Sequence, residues 1–251
     1  MAKTGKASVP HKEQKDIGPR MEIPTTVAQS ITEAIIEYKD YTCSYNEDFK
    51  IPNWLAYELT SEELHGPYSR KDKQFRRDES INLAQADGYD YSGSGWTRGH
   101  MAPAADFSFD DDSMWDTFYY TNCCPQASQL NFPLWEKLEE RVRGWATQFG
   151  KVWIVTGPVI IDNKYGTIGE HKVVVPDAFF KVVLCQHKGE YHSIAFIMEN
   201  TGDSPKYYNC MVRVNDVEKI TGFDFFSLLD DSIEESVESE MNYNLWNIHH
   251  E

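Results

Sequence analysis

The chain is short of positive charge, has few cysteines and contains no long apolar run. Its 251 residues carry 24 Lys and Arg against 40 Asp and Glu, a formal net charge of −16. Phosphate affinity comes from Lys and Arg neutralising individual phosphates, so this balance argues against a nucleic-acid partner unless a local positive field exists. The longest apolar candidate, VWIVTGPVII at 152–161, is interrupted by Thr156, Gly157 and Pro158. It falls well short of the roughly 20 residues that a membrane-spanning helix needs, so a soluble chain without a membrane partner is expected. The start, MAKTGKASVPHKEQKDIGPR, has no apolar segment of the kind a signal peptide requires. Residues 1–22 are therefore expected to be a flexible arm and residues 23–251 a single domain.

The five cysteines, Cys43, Cys123, Cys124, Cys185 and Cys210, are odd in number and lack paired CxxC spacing. That excludes the usual zinc frameworks and a complete disulfide set, and leaves small buried apolar residues as the expected role. No internal repeat and no low-complexity linker follows the first 20 or so residues.

With 41% hydrophobic and 14% aromatic residues, there is ample material for one sizeable core. Tyr41, Cys43 and Tyr45 alternate, and PNWLAYEL alternates again, which predicts two antiparallel strands. MWDTFYYTN reads as a strand or a buried turn, and YDYSGSGW as strand-like. FPLWEKLEERVRGWATQFG places Leu134, Leu138, Val142 and Trp145 at helical spacing, with Gly150 suited to the stop. KVWIVTGPVI and the stretch HKVVVPDAFFKVVLCQHKGEYHSIAFIMEN read as further strands, the latter with a turn at Lys188–Gly189. VNDVEKITGFDFF adds a short helix and a Gly turn. The expected class is α+β, a mixed, mainly antiparallel central sheet flanked by helices.

Charge is uneven. SRKDKQFRR at 69–77 is a local basic patch, whereas Asp230, Asp231, Glu234, Glu235, Glu238 and Glu240 mark an acidic tail expected to be a solvated helix face. Between them SGWTRGHMAPAAD sets Arg98 and His100 on either side of Gly99. An isolated histidine is more often structural than catalytic, although few other side chains exchange protons near neutral pH. Asn131 precedes the helix, where capping is the plain reading. Glu139 and Arg143 are four apart and could be only a surface ion pair.

Taken in order, GWTRGHMAPAADF, TFYYTNCCPQASQLNFPLWEKLEERVR, VWIVTGPVI, VVVPDAFFKVV and VEKITGFDFF resemble the DNA/RNA non-specific endonucleases of the ββα-metal superfamily, from about Tyr41 to Phe226. The resemblance implies a ββα-metal active-site motif with His100 as general base and Asn131 as the direct protein ligand of Mg2+ (or Mn2+). It implies that Glu139 holds water on that metal, that Arg143 and Arg70 grip the scissile phosphate with Lys73 competing for the place of Arg70, and that Asn122 steadies the site. Arg98 is placed with the base at the same phosphate, and DNA and/or RNA is the implied substrate. A homodimer and a protein inhibitor are candidate partners. The family's bacterial members suggest a secreted or periplasmic location, with the signal peptide outside this sequence.

Where the family usually carries Asp, this chain has Thr97, which offers a hydrogen bond but no charge. On charge alone, Thr97→Asp is expected to lower the Mg2+ requirement. Two rival readings are a catalytically weakened nucleic-acid-binding relative and a cysteine hydrolase pairing Cys123 or Cys124 with His100.

Overall fold

The computed structural model describes residues 19–201 and 206–248. Its centre is a seven-stranded sheet. The strands are β1 (Ala34–Glu37), β2 (Thr42–Asn46), β3 (Ile51–Thr60), β6 (Lys151–Val159), β7 (Ala178–His187), β8 (Glu190–Glu199) and β9 (Met211–Val212), in the spatial order β9-β8-β7-β6-β3-β2-β1. A separate antiparallel pair joins β4 (Thr97–His100) to β5 (Cys123–Gln126). The helices used below are α1 (Asp111–Asp116), α2 (Glu136–Phe149), α3 (Val214–Thr221) and α4 (Asp231–Glu238). Every neighbouring pair in the large sheet is antiparallel, so the expected mixture of directions is not present in it.

The sheet is covered on both faces, and strand alternation sorts the side chains between them. Leu55, Tyr57, Val152, Ile154, Phe179 and Val183 face the core beneath α2, with Leu138, Val142 and Trp145 of that helix. Trp54, Val155, Phe180 and Val182 face the other way, against Val214, Val217 and Val237 of α3 and α4. The acidic tail therefore packs on the face away from α2. Its expectation as a wholly solvated helix face fails at Glu238, which is buried beside Glu218. No described helix is long and apolar enough to cross a membrane.

Local chemistry explains most elements. The β7–β8 hairpin turns on Lys188 and Gly189, with φ of 54° and 89°, the positive pair that a tight two-residue turn requires. YDYSGSGW is not a strand: Gly88–Tyr91 form one helical turn, because Asp87 caps it by accepting from the Tyr89 and Asp90 amides. MWDTFYYTN ends α1 and continues as a buried turn at Tyr120–Asn122. The expected arm boundary at residue 22 also moves. Met21 is buried in the core under α3, and Arg20 bonds Glu22 and Thr42, so packing has begun by then. Residues 1–18 of that arm lie outside the described residues.

Candidate active site

His100 is the last residue of β4. Gly99 before it has no room for a side chain, since a Cβ there would lie 2.2 Å from Gln126 Oε1 across the pair. The imidazole is wedged between Phe75 and Phe118, at ring-centroid distances of 4.5 and 5.1 Å. Its Nε2 is buried and has no hydrogen-bond partner, so the ring is held by packing. Burial, and then the nearby Arg70 cation, lower its pKa to about 3. The neutral ring is favoured by folding, so the stability it contributes is complete above about pH 6.5 and is lost as pH falls toward that lowered value. We expect the His100 Cε1–H resonance to hold its neutral shift from pH 8 to about 5; a titration centred near 6.5 would contradict this burial.

Asn122 does not reach the cleft. It is fully buried, accepts from Ala102 N at 2.8 Å and donates to Ala102 O and Thr117 O at 2.8 and 2.7 Å. It thus clamps the turn that follows His100. Asn122→Ala would strand three buried backbone groups at about 1–3 kcal/mol each. We expect a stability loss of about 3–5 kcal/mol in urea unfolding, against a change under about 1 kcal/mol if the clamp were incidental.

Asn131 is not a helix cap. Residue 135 occupies the cap position of α2 with no side-chain bond, and residues 130–135 form a distorted turn in which Phe132 is extended, with φ −137° and ψ 125°. The Asn131 amide instead donates to Thr97 Oγ1 at 3.1 Å, and that hydroxyl donates to Gln126 O at 2.7 Å. Thr97 therefore ties Asn131 to the β4–β5 pair and leaves its Oδ1 without a hydrogen bond.

One turn and two turns into α2, Glu139 and Arg143 point toward the same place. A cleft of about 470 Å³ gathers Arg70, His100, Asn131, Phe132, Glu139 and Arg143. Arg143 Nη1 donates to Asp106 Oδ1 at 3.0 Å, and Tyr57 OH donates to Asp106 Oδ2 at 2.8 Å. Asp106 is fully buried, and burial raises its pKa against the pull of Arg143. Lys181 is also fully buried, on the α2 side of β7, with Nζ 4.8 Å from the Trp135 ring centroid. Burial raises Glu139 and lowers Lys181, and each charge counters that shift in the other.

Asp106, Tyr57 and Lys181 were not among the residues expected at the site. For Asp106 no local signal existed, its partners being 49 and 37 residues away. Lys181 did leave one, a lone charge inside the apolar run FFKVVL.

Besides Asn122, two expected residues stand outside the cleft lining. Lys73 does not compete with Arg70, because its amine is bound to Asp111 at 2.6 Å and sits 4.9 Å from the Trp115 ring centroid. Arg98 is exposed, with its guanidinium 6.0 Å from the Tyr91 ring centroid.

All five cysteines are unpaired and buried. Burial pushes the Cys123 thiol up to about 12 and raises Cys124 as well. A thiolate nucleophile beside His100 is therefore not available near neutral pH. Among the described residues, the groups of Asp, Glu and His close enough to share a metal lie elsewhere, at Asp87, Asp90 and His171 and at Glu218, Asp224 and Glu238. The cleft offers a different donor set, the Asn131 amide oxygen and the Glu136 and Glu139 carboxylates. This suits a hard cation that keeps most of its water, as Mg2+ does.

Comparison with known proteins identifies the family. Residues 22–232 match the family model for DNA/RNA non-specific endonuclease. The chain is 34% identical over 209 residues to a mitochondrial nuclease EXOG of Xenopus laevis, covering 77% of this chain and 58% of that protein. It is 30% identical over 200 residues to mitochondrial endonuclease G of Homo sapiens, covering 74% of this chain and 67% of that protein. In the solved EndoG/EndoGI complex, described as a mechanism of EndoG inhibition, one chain superposes with a TM-score of 0.73 at 29% identity, covering 79% of this chain and 88% of that one. These mitochondrial relatives overturn the expected secreted or periplasmic bacterial location. A family match over most of its length and a shared sheet architecture establish that this chain belongs to the DNA/RNA non-specific endonuclease family.

Proposed function

We propose that the chain is a metal-dependent endonuclease that hydrolyses phosphodiester bonds of DNA and/or RNA with little sequence preference. The observation that carries this reading is the cleft itself, which sets a neutral, partly buried imidazole beside two arginines, an amide and two carboxylates. His100 takes the proton of the attacking water as its oxygen bonds to phosphorus, the P–O3′ bond breaks opposite that new bond, the leaving O3′ takes a proton from solvent, and His100 returns its proton to solvent. Such a positioned base contributes about 10²–10⁴-fold. Arg70 and Arg143 hold phosphate oxygens, and Asp106 fixes the direction in which Arg143 points. Asn131 Oδ1 and the Glu139 carboxylate are the groups that would hold a divalent cation. When bound, that cation supplies Lewis-acid stabilisation of the phosphate and the leaving oxygen.

An imidazole this depressed is a weak base in the empty cleft. Burial is the larger cause; a phosphate bound there offsets the lesser one, the Arg70 charge, and adds its own negative charge, so the His100 pKa rises when substrate arrives. Contacts to phosphate carry no base information, which accounts for weak sequence preference.

The mitochondrial names of the relatives support a mitochondrial setting for this chain, and the inhibited EndoG complex supports a protein inhibitor as a partner. Nicking of supercoiled plasmid with Mg2+, abolished by EDTA, tests the assignment. DNA retained without any nicking would instead identify a catalytically weakened binder.

A further inference from the structure

Phe132 is a large apolar side chain in an unusual place. It is 67% exposed, yet it lines the cleft next to Asn131, His100 and Arg143. The neighbouring backbone is well held. Leu130, Leu134 and Trp135 are buried, and the Asn131 amide is bonded to Thr97. Phe132 itself is extended, with φ −137° and ψ 125°, and is not buried with those neighbours. The ring is thus an apolar surface facing solvent in a cleft that also holds the exposed Tyr68 ring, cations and carboxylates. Neither core packing nor the hydrolytic chemistry requires it.

We propose that Phe132 stacks on an unpaired nucleobase adjoining the scissile phosphate, so that the site favours single-stranded or locally unstacked nucleic acid. The inference rests on the nuclease reading above. A phosphate gripped by Arg70 and Arg143 brings its own nucleosides to the same cleft, and aromatic faces stack on any base at about 1–3 kcal/mol per base. A base inside a duplex already spends both faces on its neighbours and must leave the stack to reach the ring. Stacking of this kind tolerates every base, so it adds structural selectivity without sequence preference.

The test uses a single-stranded oligonucleotide with normal bases, the same strand with abasic sites flanking the central phosphodiester, and the matching duplex. KM with Mg2+ and equilibrium binding in EDTA by fluorescence anisotropy are measured for the wild type, Phe132→Ala and Phe132→Tyr. In the wild type, removing the bases should weaken binding and raise KM by about 5- to 100-fold. That ratio should fall toward one in Phe132→Ala and return in Phe132→Tyr, with the melting temperature unchanged because little of the ring is buried. An unaltered ratio in Phe132→Ala overturns the proposal. So does a shift from dimer to monomer in that variant, which would assign the ring to contact with a second copy. If the wild type cuts none of the strands, the nuclease reading fails, while the anisotropy ratio still decides the stacking.

Discussion

His100→Ala lowers the rate of plasmid cleavage by about 10²–10⁴-fold, the usual worth of a positioned general base, while Mn2+ binding measured by calorimetry stays as in the wild type. The separation follows from the geometry. His100 stands on β4, whereas the Asn131 and Glu139 oxygens that would meet a cation belong to the 130–135 turn and α2, and its ring is packed by Phe75 and Phe118. The truncation removes packing, but it also removes a buried Nε2 that has no partner, and losing an unsatisfied polar atom is not costly. His100→Gln, which refills part of the space, serves as the control for packing. Cleavage at the wild-type rate in both variants would remove His100 from the chemistry, whereas loss of Mn2+ affinity would make it a ligand.

Asn131→Ala should act in the opposite way, weakening Mn2+ binding by at least the 10–100-fold typical of residues that only orient a ligand, with cleavage falling in step. Its cost in stability should stay near the 0.5–1.5 kcal/mol of one hydrogen bond, because Asn131 does not cap α2. Thr97→Val supplies the companion measurement. It keeps Asn131 but removes the hydroxyl that receives its amide, so Mn2+ affinity should fall by about 10–100-fold through loss of orientation alone.

The same bonds reverse the expectation for Thr97→Asp. A carboxylate cannot donate to the Gln126 carbonyl as the Thr97 hydroxyl does, so an acceptor would face an acceptor, and the Mg2+ requirement should rise. An Asn131→Ala protein with full Mn2+ affinity and reduced stability would return that residue to a structural role.

Much of the fold was legible because it is written in short-range patterns. Leu138, Val142 and Trp145 recur at helical spacing and do form the buried face of α2, and the Lys188–Gly189 turn is a local backbone preference. The site was legible only in part. The motif order brought out His100, Asn131, Glu139 and Arg143, and the cleft does collect them. It could not choose between Arg70 and Lys73, because the choice was made by Asp111, 38 residues from Lys73. Nor could it tell an Asn131 cap from an Asn131 tethered to Thr97, 34 residues earlier.

What the sequence by itself determined were the α+β class and the helix bearing Glu139 and Arg143, since both depend on periodicity within a few residues. Only the tertiary structure decided which charges are free to act. Asp106 orients Arg143 at the cleft and Asp111 engages Lys73 outside it, while Arg70 faces the cleft and burial keeps His100 neutral. A side chain's charge and reach are set by the partners and solvent around it, and those come from segments that the chain brings together only on folding.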